Sequence, residues 1–250
     1  MTAAPSPSLA GRLAAVALHP ATAIVGLALV VVAAQLFGQS FWTTLATRAA
    51  ILALAALSLG FVLGQGGLVS FGHAAPFGIG AYVVLIAGEA GVRDVFALVP
   101  LAFLGAAAFA VPTGALALRT RGVYFIMITL AFAQMAYFVF SALSAYGGDD
   151  GMNIVGRATV FGVKLFRSDV ALAWLAIGLL AAVSLFLHAS VHARFGHVLR
   201  AARDNEARTA ALGFSVFRTR LVAYGIGAGF AGIAGALMAE QTGFVSPALM

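Results

Sequence analysis

Between Ala49 and Gly88 the chain runs for 40 residues without an Asp, Glu, Lys or Arg. A transmembrane helix needs about 20 consecutive apolar residues, so a run of this length holds two. The break between them falls at Gly64-Gln65-Gly66-Gly67, where glycine withdraws helix preference. Further charge-free runs are Leu13–Thr47, Val95–Leu118, Gly122–Gly148, Val170–Ala193 and Leu221–Ala239. Seven spans follow, with cores near 20–38, 44–63, 71–88, 96–118, 123–143, 170–188 and 221–239. None alternates polar and apolar residues as the strands of a membrane barrel do. The expected fold is all-α: a polytopic transmembrane bundle of about seven helices, forming one domain over residues 1–250.

Only 9% of the 250 residues are charged and 62% are hydrophobic, with a mean hydropathy of +1.05. A soluble domain carries about 25% charged residues, so this chain lacks the polar surface to face water and its main solvent is lipid. The formal net charge is +6, and Lys164 is the single lysine among 14 basic residues. Arginines flanking membrane spans account for that balance without a nucleic-acid partner. There is no cysteine, hence no disulfide and no thiolate metal site. Arg12 stands where a signal peptide would carry its charge, but the apolar stretch after it outruns a cleavable segment and reads as the first span.

Placing the N-terminus in the cytoplasm puts nine arginines inside: Arg12, Arg119, Arg121 and six between Arg194 and Arg220. Five basic residues fall outside: Arg48, Arg93, Arg157, Lys164 and Arg167. The bias favours this orientation. Ser144–Ser168 is then an extracytoplasmic loop and Ser190–Arg220 a basic cytoplasmic one.

The phosphate-wrapping pattern Gly-x-x-x-x-Gly-Lys-Ser/Thr is absent, since the one lysine follows Val163. Gly227-x-Gly229-x-x-Gly232 matches a dinucleotide fingerprint, yet it sits in an apolar span with no strand before it. Small residues at Gly225/Gly229 and Gly227/Ala231/Gly235 share a helix face and read better as a close-packing stripe. His188 and His192 are four apart and could ligate haem or a metal, or simply lie at the interface. Ser70 and His73 have no obvious third partner for hydrolysis. No zinc-protease or nucleophile-elbow pattern occurs. No residue is expected to be catalytic, and no cofactor or metal is expected.

The most informative stretch is Gly66–Tyr82, rich in glycine, with Pro76 and with His73 in or near the membrane. Irregular backbone at membrane depth is tolerated where protein or a water-filled cavity satisfies it, and ionisable groups there point to function. This marks Gly72, His73, Gly78 and Gly80 as a candidate substrate path; the alternative is an ordinary span start with glycines for packing. On the cytoplasmic side, Phe195, Leu199 and Ala202 fall on one helical face. Asn205 suits the cap of a second short helix, Glu206 its first turn and Gly213 its end.

Taken in order, Gly66–Tyr82, Leu118–Phe132, Gly147-Gly148-Asp149-Asp150-Gly151 and Arg194–Gly213 resemble the permease subunits of branched-chain amino acid ABC importers, the LivM branch. The resemblance covers roughly residues 45–247. It implies that Arg203, Asp204, Glu206, Ala210 and Gly213 belong to the loop that engages the ATPase. The match departs from the wider importer pattern, because Arg208 follows Glu206-Ala207 and Gly213 lies one place late. Gly148, Asp149 and Asp150 would face the binding protein. The implied partners are a second related permease, two cytoplasmic ATPase subunits, an extracytoplasmic substrate-binding protein and membrane lipid. The implied place is the inner membrane, and the implied cargo is leucine, isoleucine or valine; close relatives are thought to move urea or short amides. A stand-alone secondary transporter and a redox protein built on His188 and His192 are the alternatives from other classes. The resembling family continues beyond Pro247 into further membrane helices, so a truncated or split protein is expected, with faces such as Gly225/Gly229 short of packing partners.

Overall fold

A computed structural model describes residues 20–154, 156, 159 and 169–250. Arg12, Arg157, Lys164 and Arg167, which enter the charge count, lie outside the described residues, as does most of the second half of the Ser144–Ser168 loop. Seven apolar helices coincide with the seven expected cores: α1 (Pro20–Leu36), α2 (Ser40–Gly66), α3 (Ala74–Glu89), α4 (Val95–Ala117), α5 (Val123–Ala142), α6 (Asp169–His192) and, after two short helices, α9 (Val216–Thr242). Five of them, α2, α4, α5, α6 and α9, are long and apolar enough to cross a membrane; α1 and α3 are shorter apolar helices.

The helix ends follow local chemistry. α2 stops because Gly67 takes a left-handed conformation (φ 65°) and its N–H closes on the Leu63 carbonyl at 3.0 Å. α5 starts after Gly122, whose φ of 61° and ψ of −130° suit only glycine. α3 begins at Ala74, later than the apolar pattern suggests, and Pro76 fits its first turn because the missing N–H has no intrahelical partner there. Beyond α6 the extended residue Ala193 turns the chain into α7 (Arg194–Asp204) and α8 (Glu206–Ala211). The Asn205 side chain caps α8 by accepting from the Arg208 N–H at 2.9 Å, and Gly213 takes a positive φ of 87° after it.

α9 is the central helix, buried along most of its length against α2, α3 and α4. Its small residues make that possible. Gly229 packs on the Phe103 ring, Gly232 on Ala102 and Ala106, and Gly235 on the Phe77 backbone. The fingerprint glycines are therefore helix interior, with no phosphate-binding turn. The expected shortage of partners at Gly225/Gly229 is also corrected: Val111 covers the first and Phe103 the second. α5 is the opposite case, burying only a stripe of Phe125, Thr129, Ala133 and Ala136. Large apolar side chains such as Phe41, Leu104, Met127 and Leu185 point outward, as lipid-facing residues do.

The connections gather at the two ends of the bundle. At one end, Arg203 donates to the Gly64 carbonyl and Arg121 pairs with Glu206. At the other, Gln241 donates to the Thr44 carbonyl, and Thr159 bonds with Arg93 and Asp94. Also at that end, β1 (Met152–Asn153) pairs antiparallel with β2 (Phe244–Val245).

Candidate functional site

Between α2 and α3 the backbone of residues 67–73 is not helical; it buries Leu68, Ser70, Gly72 and His73 against the bundle and leaves Gly67, Val69 and Phe71 exposed. Its depth follows from its partners. His73 is buried, and its Nε2 lies 3.1 Å from the Ser58 hydroxyl. The buried Ser70 hydroxyl lies 3.4 Å from that of Tyr224. Ser58 and Tyr224 each stand eight residues in from the basic ends of α2 and α9, about 12 Å at 1.5 Å per residue. The segment is thus irregular backbone with two buried polar side chains, Ser70 and His73, each bonded to a polar side chain of a long apolar helix. The Phe125 ring meets Tyr224 edge-on.

The glycines of this stretch have identifiable contacts. A Cβ on Gly72 would overlap the Thr129 carbonyl of α5. One on Gly78 would meet the Met250 side chain, and one on Gly80 would overlap the Gly232 backbone of α9. Of the four residues marked from the sequence, then, His73 supplies a polar side chain and Gly72, Gly78 and Gly80 supply close approach. Ser58, Thr129 and Tyr224 join them and were missed, because a lone Ser, Thr or Tyr in an apolar helix breaks no pattern. Ser70 and His73 do not face each other as a catalytic pair; each turns to a different helix.

At the basic end, α7 buries Leu199 and Ala202 against the bundle. Arg203 bonds to Asp204 beside it (3.0 Å) as well as to the Gly64 carbonyl. Glu206 sits between Arg121 and Arg220, 3.2 Å from each. Arg220 is held further by the Ala202 carbonyl at 3.0 Å. So Arg203 and Glu206 are bonded to the bundle, Asp204 is exposed and bonds to Arg203, and Ala210 and Gly213 are exposed. Leu212 and Phe214 next to them are exposed too, an apolar knob on a charged face. Arg121 and Arg220 come from distant segments and gave no local signal.

At the other end, Gly147 and Gly148 adopt positive φ, and Asp149 accepts from the Tyr137 hydroxyl at 3.1 Å and from Ser141 at 3.4 Å. Gly151 packs on the Val245 carbonyl, which lets β1 reach β2. Asp150, beside them, is exposed.

Among the described residues no group of three His, Asp or Glu side chains could hold a metal ion. The His188 and His192 rings lie 4.3 Å apart, and His192 Nδ1 donates to the His188 carbonyl. His188 also borders a cavity of about 550 Å3 between α1, α2 and α6, otherwise lined mainly by apolar side chains.

Comparison with known proteins gives one consistent answer. The family described as "Branched-chain amino acid transport system / permease component" matches residues 41–250. The high-affinity branched-chain amino acid transport system permease proteins LivM of Salmonella typhimurium strain LT2 and of Escherichia coli strain K12 are each 30% identical to the chain over 226 residues. That alignment covers 81% of this chain and 53% of each relative, so the chain spans about half the length of the curated relatives it matches. No solved structure matches.

Proposed function

The chain belongs to the family of permease components of branched-chain amino acid transport systems, and on that footing we propose that it forms the membrane-spanning permease of an ATP-binding cassette importer carrying leucine, isoleucine, valine or related amino acids inward. ATP hydrolysis then sits on two separate cytoplasmic subunits, in keeping with the absence of a phosphate-wrapping loop from the sequence. A second related permease completes the pathway, and an extracytoplasmic binding protein delivers solute to the end carrying Gly148, Asp149 and Asp150. The membrane is the inner one, with the N-terminus and the basic end in the cytoplasm.

The observation that carries this reading is how α7 and α8 are fastened. Arg203 ties α7 to the end of α2, while Glu206 ties the start of α8 to Arg220 of α9 and to Arg121 before α5. The exposed residues Ala210, Leu212, Gly213 and Phe214 remain available to the ATPase. A push on that knob therefore reaches α2, α5 and α9 through ionic and backbone contacts. Closure of the ATPases biases the bundle between outward-open and inward-open arrangements through these differential contacts. The polar segment 67–73, between α2, α5 and α9, is the part of the path that such a movement would open.

The test is to co-express the chain with a second permease, two ATPase subunits and a binding protein of the same transport family from its source genome, purify the assembly through a tag on this chain, and measure uptake of labelled leucine into proteoliposomes. ATP-dependent uptake that unlabelled valine and isoleucine suppress is the expected result. A chain that purifies without ATPase and moves leucine without ATP would be a secondary carrier. Suppression by urea or acetamide, with none by valine, would reassign the cargo.

A further inference from the structure

A cleft of about 280 Å3 opens at the basic end, between the 67–69 turn, the 118–122 turn and α8. Its lining divides by chemistry. One side presents the Arg121 and Arg220 guanidiniums with the Glu206 carboxylate between them. The other side is apolar, built from Leu68, Val69, Phe125 and Ile126. From this pairing we infer that the cleft binds a free α-amino acid with an apolar side chain, held as its zwitterion. That this end is where solute leaves rests on the importer reading above; the chemistry of the ligand comes from the cleft itself.

The three charges are not equivalent. The Arg220 side chain is 19% exposed and fixed by both Glu206 and the Ala202 carbonyl. It holds Glu206 in place. The Arg121 side chain is 81% exposed and pairs with Glu206 from the 118–122 turn. Arg121 is therefore the group that can swing. An amino acid entering between them gives its carboxylate to Arg121 and its ammonium to Glu206, replacing one ion pair by two. Its side chain then lies on Val69 and Ile126. Phosphate or another simple anion fits worse, because Glu206 repels it and the apolar wall gives it nothing. The volume suits a ligand well below drug size.

The experiment is equilibrium binding of labelled L-leucine to the full chain purified in nanodiscs, without partner subunits. Saturable binding is expected. 4-Methylpentanoate, which lacks the ammonium, and 3-methylbutylamine, which lacks the carboxylate, should each compete about tenfold less well, the cost of one charge-assisted contact. Arg121→Gln should weaken leucine by about the same factor, whereas Arg119→Gln, on the same turn but not lining the cleft, should not. Absence of saturable binding overturns the proposal. So does binding indifferent to Arg121→Gln and Glu206→Gln, which would place leucine elsewhere in the chain, and so does displacement by inorganic phosphate as effective as by leucine. Uptake by the assembled transporter is scored separately. Uptake without binding to the lone chain removes the cleft and leaves the importer standing; binding without uptake does the reverse.

Discussion

Gly80 of α3 and Gly232 of α9 meet backbone to backbone, with no room for a methyl group between them. The contact sets how closely the polar segment 67–73 and its helix approach the central helix. Each methyl added there must push main chain rather than a flexible side chain. Gly80→Ala should therefore cost about 3 kcal/mol, the upper end for overpacking. Gly178 in α6 has open space around its missing Cβ. Gly178→Ala should be neutral or mildly stabilising, since alanine is the better helix former. Thermal melting of both variants in detergent checks the difference. Equal melting temperatures would mean that α3 and α9 do not touch at Gly80.

The Ser58–His73 contact predicts a second asymmetry. Ser58→Ala leaves a buried ring nitrogen without its partner and should destabilise the protein by about 1–3 kcal/mol. Ser184→Ala, a hydroxyl bordering the cavity between α1, α2 and α6, should cost less. If His73 helps line the path, leucine uptake per folded transporter should also fall in Ser58→Ala and stay unchanged in Ser184→Ala. Melting curves and initial uptake rates from the same preparations separate the two effects.

The short helix α8 offers a third test. Its six residues are held by the Asn205 cap, and Ala210 lies in its last turn facing solvent. Ala210→Pro removes a helical hydrogen bond and clashes with the preceding turn, a cost of roughly 3 kcal/mol that α8 cannot absorb. Membrane insertion should survive, because α8 is apart from the apolar spans. ATPase association, read by pull-down, should drop, as should uptake. Phe214→Asp should weaken association without unfolding α8, because the ring is exposed. Normal pull-down by both variants would leave the knob without a role in docking.

The sequence shows the helices of this protein more plainly than its site. Long apolar runs are forced by the thickness of the bilayer, so α2, α4, α5, α6 and α9 could be read from charge spacing. The Asn205 cap and the Gly213 exit were legible as well, because capping is chemistry between near neighbours. The start of α3 was not: Ser70 and His73 are drawn to Tyr224 and Ser58, which lie in other helices. The Arg220–Glu206 and Arg121–Glu206 pairs join segments 14 and 85 residues apart, and nothing in local pattern links them. The two-residue strands β1 and β2 are too short to carry periodicity. Tight backbone packing was expected at Gly72 and Gly78; at Gly72 the neighbour is the Thr129 carbonyl, whereas at Gly78 it is the Met250 side chain.

Orientation gives the last prediction. Among the described residues, eight arginines cluster at the end carrying α7 and α8: Arg119, Arg121, Arg194, Arg200, Arg203, Arg208, Arg218 and Arg220. Arg48 and Arg93 fall toward the other end, which also holds six of the eight acidic residues: Glu89, Asp94, Asp149, Asp150, Asp169 and Glu240. Basic residues in short connections resist translocation, while acidic ones count for little. Over the whole sequence nine basic residues fall on the side of α7 and α8 and five on the other, so the expected orientation has α7 and α8 in the cytoplasm. In that orientation the Asp149 loop would lie on the far side, where the proposed binding protein could reach it. A reporter active only outside the cytoplasm, such as alkaline phosphatase, should be active when fused after Asp150 and silent after Glu206. A second reporter active only inside, such as a fluorescent protein, should give the opposite pattern at the same two points. Phosphatase activity at Glu206 with silence at Asp150 would invert the bundle. It would also put the arginine-rich end, and with it the proposed ATPase surface, on the wrong side of the membrane.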